Sequence, residues 1–316
     1  MAKKTQFTQA QVKKSGQKTA MQQLLCAKQN NNPAPILGAF LFDRHKNFYY
    51  IPYMEEKTSI SFANVAAKYD GTPEILTDVS FNISNGAFYF LSGASGAGKT
   101  TLLRLIYQLH KPLRGQIKLF GKPTNDMSRD EITKLRHKMA IVFQSYSLLS
   151  HLSVFDNVAL PLRVRGVPEA KIKKLVARVL DWVGLGKYAD ANPLALSGGQ
   201  QQRVSVARAI IIQPSILLAD EPTGNLDDEN ASRLMDLFIQ MNKMFGTTII
   251  LATHSKKLMD TYKFPVIHVE NHRVTFSGQT PATQKPDTES KKIWKGPKPQ
   301  SYFTELSKQF DDIGNT

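Results

Sequence analysis

Gly93-Ala94-Ser95-Gly96-Ala97-Gly98-Lys99-Thr100 is the stretch on which the fold turns. It fits G-x-x-x-x-G-K-[ST], and the context is the one that pattern requires. Ahead of it, Ala87-Phe88-Tyr89-Phe90-Leu91 is a short unbroken apolar run, as expected of a parallel strand buried on both faces. Helical periodicity begins after Lys99. Phosphate oxygens need several backbone N–H groups converging at close range. Gly93, Gly96 and Gly98 permit the necessary backbone angles and the close approach. A helix starting near Lys99 adds its positive end. Lys99 neutralises β- and γ-phosphate charge, and the Thr100 hydroxyl is placed to ligate magnesium. A chance glycine loop is the alternative, and the flanking order of strand and helix argues against it.

A second element lies downstream. Ile216-Leu217-Leu218-Ala219-Asp220-Glu221 is an apolar strand that delivers two carboxylates. Asp220 is expected at a metal's inner or outer shell. Glu221 is expected to face the attacking water as a general base. Adjacent carboxylates at a strand end are otherwise ordinary surface chemistry. Their weight comes from the cradle.

Working outward, Ser59–Val65 alternates and predicts a strand, as does Val79–Ile83. Ala140-Ile141-Val142-Phe143 and Thr248–Ala252 predict further strands. Ile172, Leu175, Val176, Val179, Leu180 and Val183 recur at helical spacing, with Lys171, Lys173, Lys174 and Arg178 largely on the opposite, wet face. Leu234, Leu237, Phe238, Met241, Met244 and Phe245 mark a long core-facing helix. Strands alternating with helices predict an α/β core spanning residues 58–276.

Leu196-Ser197-Gly198-Gly199-Gln200-Gln201-Gln202-Arg203 chooses among phosphate-cradle families, because it resembles the signature of ATP-binding cassette (ABC) ATPases. The rest of the cassette order is present. Tyr69 resembles the aromatic that stacks on adenine, although a core aromatic is its plain alternative. Gln144 resembles the glutamine of the family's Q-loop, and Gly224-Asn225-Leu226-Asp227 resembles the D-loop. His254 resembles the switch histidine; alone it is equally a strand-end hydrogen-bonder. The resemblance implies a P-loop NTPase of ABC type: a RecA-like core, an antiparallel β subdomain and an α-helical signature subdomain. It implies ATP held by Tyr69, by residues 93–100 (with Ala94, Ser95 and Ala97) and by Thr101. It implies Mg2+ at Thr100, Gln144 and Asp220, and hydrolysis involving Glu221, His254 and Gln144. In such cassettes the signature of one subunit, here Ser197, Gly198, Gly199 and Gln200, caps ATP on another, with Asp227 in the D-loop nearby. One P-loop and one signature therefore imply a homodimer.

The stretch from Leu218 to Asp227 is similar to the branch containing the cell-division ATPase FtsE, the lipoprotein-releasing ATPase LolD and the macrolide exporter MacB. Residues 91–100, 146–162 and 182–185 tilt the resemblance to the FtsE type. Gln200, where Glu is frequent, and Ser255, where Asp is usual, depart from that type without removing a catalytic group. The resemblance implies an FtsX-like integral membrane partner and a peripheral place on the cytoplasmic face of the inner (cell) membrane. The alternative is the ATPase of a LolD/MacB-like exporter.

Composition sets outer limits. The 316 residues carry 41 Lys and Arg against 26 Asp and Glu, a net charge of +15, which suits either a solvated surface or an anionic partner. No nucleic-acid partner is expected, since soluble ABC proteins of that kind usually carry two cassettes or long coiled-coil insertions. No run approaches the roughly 18 apolar residues of a membrane span. No signal peptide follows Lys3 and Lys4, and the one cysteine, Cys26, fits a reducing compartment. Residues 1–57 hold nine basic and three acidic groups and read as a mostly disordered extension, with an aromatic patch at Phe48-Tyr49-Tyr50 and an alternative start at Met54. Residues 277–316 read as a linker and a short amphipathic helix from Ser301 to Asp312, carrying Phe303, Leu306 and Phe310 and followed by Ile313. The segment holding Tyr146, Leu148, Leu149, Leu152 and Phe155 reads either as a groove for a membrane partner's helix or as core of the helical subdomain.

Overall fold

The three apolar runs that the sequence marks as buried strands become neighbours in one sheet, and their alternate residues feed two separate cores. The computed structural model describes residues 39–42, 48–51, 58–224 and 226–277. The chain divides into two units, residues 1–56 and 57–316. In the first, Ala39–Phe42 (β1) pairs antiparallel with Phe48–Ile51 (β2). Cys26, Met54, Asn225 and the helix expected at Ser301–Asp312 lie outside the described residues.

The second unit runs β3 (Thr58–Ala67), β4 (Leu76–Ser84), β5 (Phe88–Ser92), α1 (Lys99–Ile106), β6 (Arg114–Leu119), β7 (Lys122–Pro123), α2 (Arg129–Arg136) and β8 (Met139–Val142). It continues α3 (Val154–Val164), α4 (Glu169–Trp182), α5 (Gly198–Ile210), β9 (Ile216–Asp220), α6 (Asp228–Phe245), β10 (Thr248–Ala252), α7 (Lys256–Tyr262), β11 (Val266–Glu270) and β12 (Arg273–Ser277). The main sheet has strand order β12-β11-β5-β10-β9-β8, parallel except for the edge strand β12. A second, antiparallel sheet has order β4-β3-β6-β7. The alternating strands expected at 59–65 and 79–83 are β3 and β4 of this sheet.

Phe88, Phe90, Leu217, Ala219, Ile249 and Leu251 enter the core built with α3, α4, α5 and α6. Tyr89, Leu91, Ile216, Leu218, Ile250 and Ala252 enter the core built with α1 and the antiparallel sheet. Successive strand side chains point to opposite faces, so a strand covered on both faces must be apolar at every position. That is why these runs do not alternate.

The helical layer follows its predicted periodicity. Ile172, Leu175, Val176, Val179 and Leu180 are all buried on α4, while Lys173 and Lys174 are exposed. Lys171 and Arg178 depart from the expected wet face by being half-buried. On α6, Leu234, Leu237, Phe238 and Met241 are buried; Met244 and Phe245 are partly covered near the helix end. No helix among the described residues is long and apolar enough to cross a membrane.

Candidate functional site

The carboxyl ends of four consecutive strands carry the candidate residues. The phosphate cradle follows β5, His254 follows β10, Asp220 and Glu221 end β9, and Gln144 follows β8. Register confirms the row, because Ala252 lies opposite both Leu91 of β5 and Asp220 of β9. Adjacent strands sit roughly 4.8 Å apart, so these groups share one crevice outside the strand ends, where open α/β sheets bind ligands.

The cradle is built tightly. A Cβ at Gly93 would lie 2.4 Å from the Val269 carbonyl oxygen, a clash with backbone that only glycine avoids. Gly98 caps α1 in the left-handed region, and no side chain caps this helix end. Its first N–H groups are therefore left for an anion. Lys99 is buried and donates from Nζ to the Gly93 and Ala94 carbonyls at 2.9 and 3.0 Å. An ammonium has three donors, so one remains for a phosphate oxygen.

The Thr100 hydroxyl donates to Asp220 Oδ2 at 2.8 Å, tying the cradle to β9. Glu221 follows with φ +47°, and its N–H donates to the Ala252 carbonyl at 3.0 Å. This turned backbone brings Glu221 Oε2 to 3.1 Å from His254 Nδ1. The Glu221 side chain is 21% exposed, so it is sheltered yet open to water. A cavity of about 310 Å³ opens beside the pair, bounded by Gly224, Asp228, Lys257 and Tyr262. Gln144 is exposed, with its Nε2 3.8 Å from the position of a Cβ on Gly224.

Tyr69 lies against α1. Its hydroxyl is 3.4 Å from Thr101 Oγ1 and accepts from Arg104 Nη1 at 3.3 Å. Its ring packs on His110 with centroids 4.6 Å apart. Arg104 and His110 escaped the sequence reading; neither belongs to a motif, and His110 meets Tyr69 only through folding.

The signature stands apart from this crevice in sequence and in its bonding. Ser197 caps α5 reciprocally with Gln200: Ser197 Oγ accepts from the Gln200 N–H at 3.4 Å, and Gln200 Oε1 accepts from the Ser197 N–H at 2.9 Å. Gly198 is exposed beyond this cap. Asp227 caps α6, accepting from the Asn230 N–H and Nδ2, both at 2.8 Å. Those hydrogen bonds hold its carboxyl below the usual carboxylate range.

The structure divides the apolar segment between the two readings. Leu148 and Phe155 pack against the helical-layer core, whereas Leu149 and Leu152 are half-buried and lie outside that packed set. The fully buried Asn157 shapes the loop. Its Oδ1 accepts from the Leu149 N–H at 2.8 Å, and its Nδ2 donates to the carbonyls of Leu149, Leu152 and Ser153. Asn157→Ala removes these four hydrogen bonds from a part-buried loop, although the Leu149 and Ser153 carbonyls keep their backbone donors, the Leu152 and Asn157 N–H groups. We expect it to destabilise the protein by about 1–3 kcal/mol, read as a lowered urea midpoint.

Comparison with known proteins decides the family. A family model described as ABC transporter matches residues 76–224. The cell division ATP-binding protein FtsE of Streptococcus pneumoniae is 40% identical over 215 residues, covering 68% of this chain and 93% of that protein. The chain belongs to the ABC transporter ATP-binding family. FtsE of Bacillus subtilis is 42% identical over 212 residues, 67% of this chain and 92% of its own. Among solved structures, the ATP-binding cassette MJ0796, described as a dimeric post-hydrolysis state bound to ADP and Pi, matches with TM-score 0.64 and 33% identity. That match covers 69% of this chain and 97% of that one. The protein is thus an FtsE-like ABC ATPase that binds and hydrolyses ATP, with the cassette fold expected from its motifs.

Proposed function

We propose that this ABC ATPase acts as a homodimer on the cytoplasmic face of the cell membrane and drives an FtsX-like membrane protein in cell division. The observation that carries the catalytic part is the row of strand ends, with Thr100 on Asp220 and Glu221 on His254. The similarity to proteins named for cell division supports the biological setting, and the dimeric MJ0796 supports the assembly. We divide the chain into an extension (1–57), the ATPase domain (58–276) and a carboxyl-terminal segment (277–316).

In this reading residues 93–101 surround the phosphates and Tyr69 meets the adenine. Glu221 accepts the proton of the attacking water, while His254 orients Glu221 and approaches the γ-phosphate. Ser197, Gly198, Gly199 and Gln200 of the second copy cap the nucleotide, beside Asp227. The donors around Thr100 fit Mg2+, since a hydroxyl and a carboxylate are hard oxygen ligands. Thr100, Asp220 and Gln144 would hold the ion, which supplies positive charge to the β- and γ-phosphates. Such sites use few protein ligands beside substrate phosphates, in keeping with the sparse carboxylates here. Among the described residues no group of three or more His, Cys, Asp or Glu forms a metal cluster.

The membrane partner is proposed to dock beside Leu149 and Leu152. The test is affinity capture of the tagged full chain from detergent-solubilised membranes, with the co-purifying membrane protein identified. Leu149→Glu and Leu152→Glu should abolish co-purification while nucleotide binding persists. Retention of the partner by both variants at high salt would rule the docking site out.

A further inference from the structure

The backbone just beyond Gln144 is held in an unfavourable shape. Tyr146 and Ser147 have φ values of 50° and 51°, and neither is glycine. L-residues with a Cβ avoid this left-handed region, so two in succession persist only where neighbours over-determine them.

Arg208, near the carboxyl end of α5, supplies that restraint. Its Nη2 donates to the Tyr146 carbonyl at 3.0 Å, and its Nη1 donates to the Ser147 carbonyl at 2.7 Å. One planar fork thus grips two consecutive carbonyls. The guanidinium is half-buried, and desolvation lowers its pKa from the ordinary arginine value. Arginine stays charged over the working pH range, so the two carbonyl dipoles compensate a cation withdrawn from water.

The opposite end of α5 comes near the same residue. A Cβ on Gly198 would lie 3.0 Å from the Tyr146 hydroxyl. Tyr146 is therefore engaged by its carbonyl near one end of α5 and approached by its hydroxyl near the other, ten residues or roughly 15 Å along the helix. The Tyr146 side chain thus reaches from the turn behind Gln144 to the neighbourhood of Gly198.

We infer that Arg208 is a positioning residue for ATP hydrolysis: it holds the left-handed Tyr146–Ser147 turn against α5 and thereby places Gln144. This inference rests on the reading that Gln144 faces the γ-phosphate side of the site. Arg208 touches neither nucleotide nor water in that reading. Its contribution is to keep Gln144 in reach during turnover, so its loss acts on kcat and spares the affinity of the cradle for ATP.

The experiment uses the full-length protein, steady-state ATP hydrolysis, equilibrium nucleotide binding and thermal melting. Arg208→Ala should lower kcat tenfold or more and leave ATP affinity within about twofold. Adding Ser147→Gly should restore kcat at least threefold, because glycine takes the left-handed conformation without help. A structural role of Arg208 elsewhere in α5 would not respond to a change at Ser147. Ser147→Val, at an exposed position, forces a β-branched side chain into the same turn. It should lower kcat while ATP affinity stays within about twofold, and it decides the matter if Arg208→Ala fails to fold. Wild-type kcat in Arg208→Ala or in Ser147→Val, a raised KM at unchanged kcat, or no recovery on adding Ser147→Gly would overturn the inference. Gln144→Ala separates the two levels. If it hydrolyses ATP normally, the role assigned to Gln144 fails; if it is slow while Arg208→Ala is normal, only the clamp fails.

Discussion

Glu221→Gln is expected to bind ATP normally and hydrolyse it on the order of 10²–10⁴-fold more slowly, the usual cost of losing a positioned general base. The substitution keeps the side chain's size, and a glutamine oxygen still accepts at 3.1 Å from His254 Nδ1, so the local geometry survives. What disappears is a group able to take a proton from water. Nothing in the cradle changes: the Lys99 contacts to Gly93 and Ala94 lie in the loop that follows β5, away from the altered carboxylate. Nucleotide titration should therefore give the wild-type affinity, while phosphate release nearly stops. Unhydrolysed ATP that binds the dimer in preference to the monomer shifts the association by mass action. Sedimentation of the variant with ATP should show more dimer than wild type under turnover. Near-normal phosphate release by the variant would remove Glu221 from the role of base.

Much of this site was legible before folding because its signals are local. A strand buried on both faces has to be apolar throughout, so residues 87–91, 216–219 and 248–252 announced themselves. The cradle needs glycine at set spacings for close backbone approach, and the clash awaiting any Cβ at Gly93 shows why. Helix α4 was readable because its buried face repeats every turn. Groups that act across long sequence separations were not readable. Arg208 meets Tyr146 and Ser147 some sixty residues back along the chain, and His110 meets Tyr69 across a separate element. Asn157 looked like any polar helix residue, yet it is fully buried and bonds four backbone groups of one loop. The segment from Tyr146 to Phe155 resisted sorting for a related reason. Between β8 and α3 there is no periodicity to say which leucine points inward, and only tertiary packing separates Leu148 from Leu149.

The proposed site between two chains makes the other large expected effect. Lys99→Ala removes the cation proposed to neutralise the phosphates and also the tie that closes the cradle over the Gly93 and Ala94 carbonyls, so nucleotide binding should fall sharply. Gly198→Asp spoils the other half. Its Cβ would sit 3.0 Å from the Tyr146 hydroxyl, and its carboxylate would present negative charge where a partner's phosphates approach the start of α5. A two-fold dimer of either variant has the same defect in both of its sites. Mixed one to one, however, half of the dimers pair a good cradle from one chain with a good signature from the other. If sites work independently, the mixture should recover about a quarter of the wild-type rate per chain, because a two-fold interface pairs each patch with its mate. The measurement is ATP hydrolysis across mixing ratios, with each variant alone as the baseline. Recovery that peaks near equal proportions is the expected signature of a composite site. Wild-type hydrolysis by the Gly198→Asp protein on its own would show that each chain completes its own nucleotide site, and the two-chain arrangement would have to be abandoned.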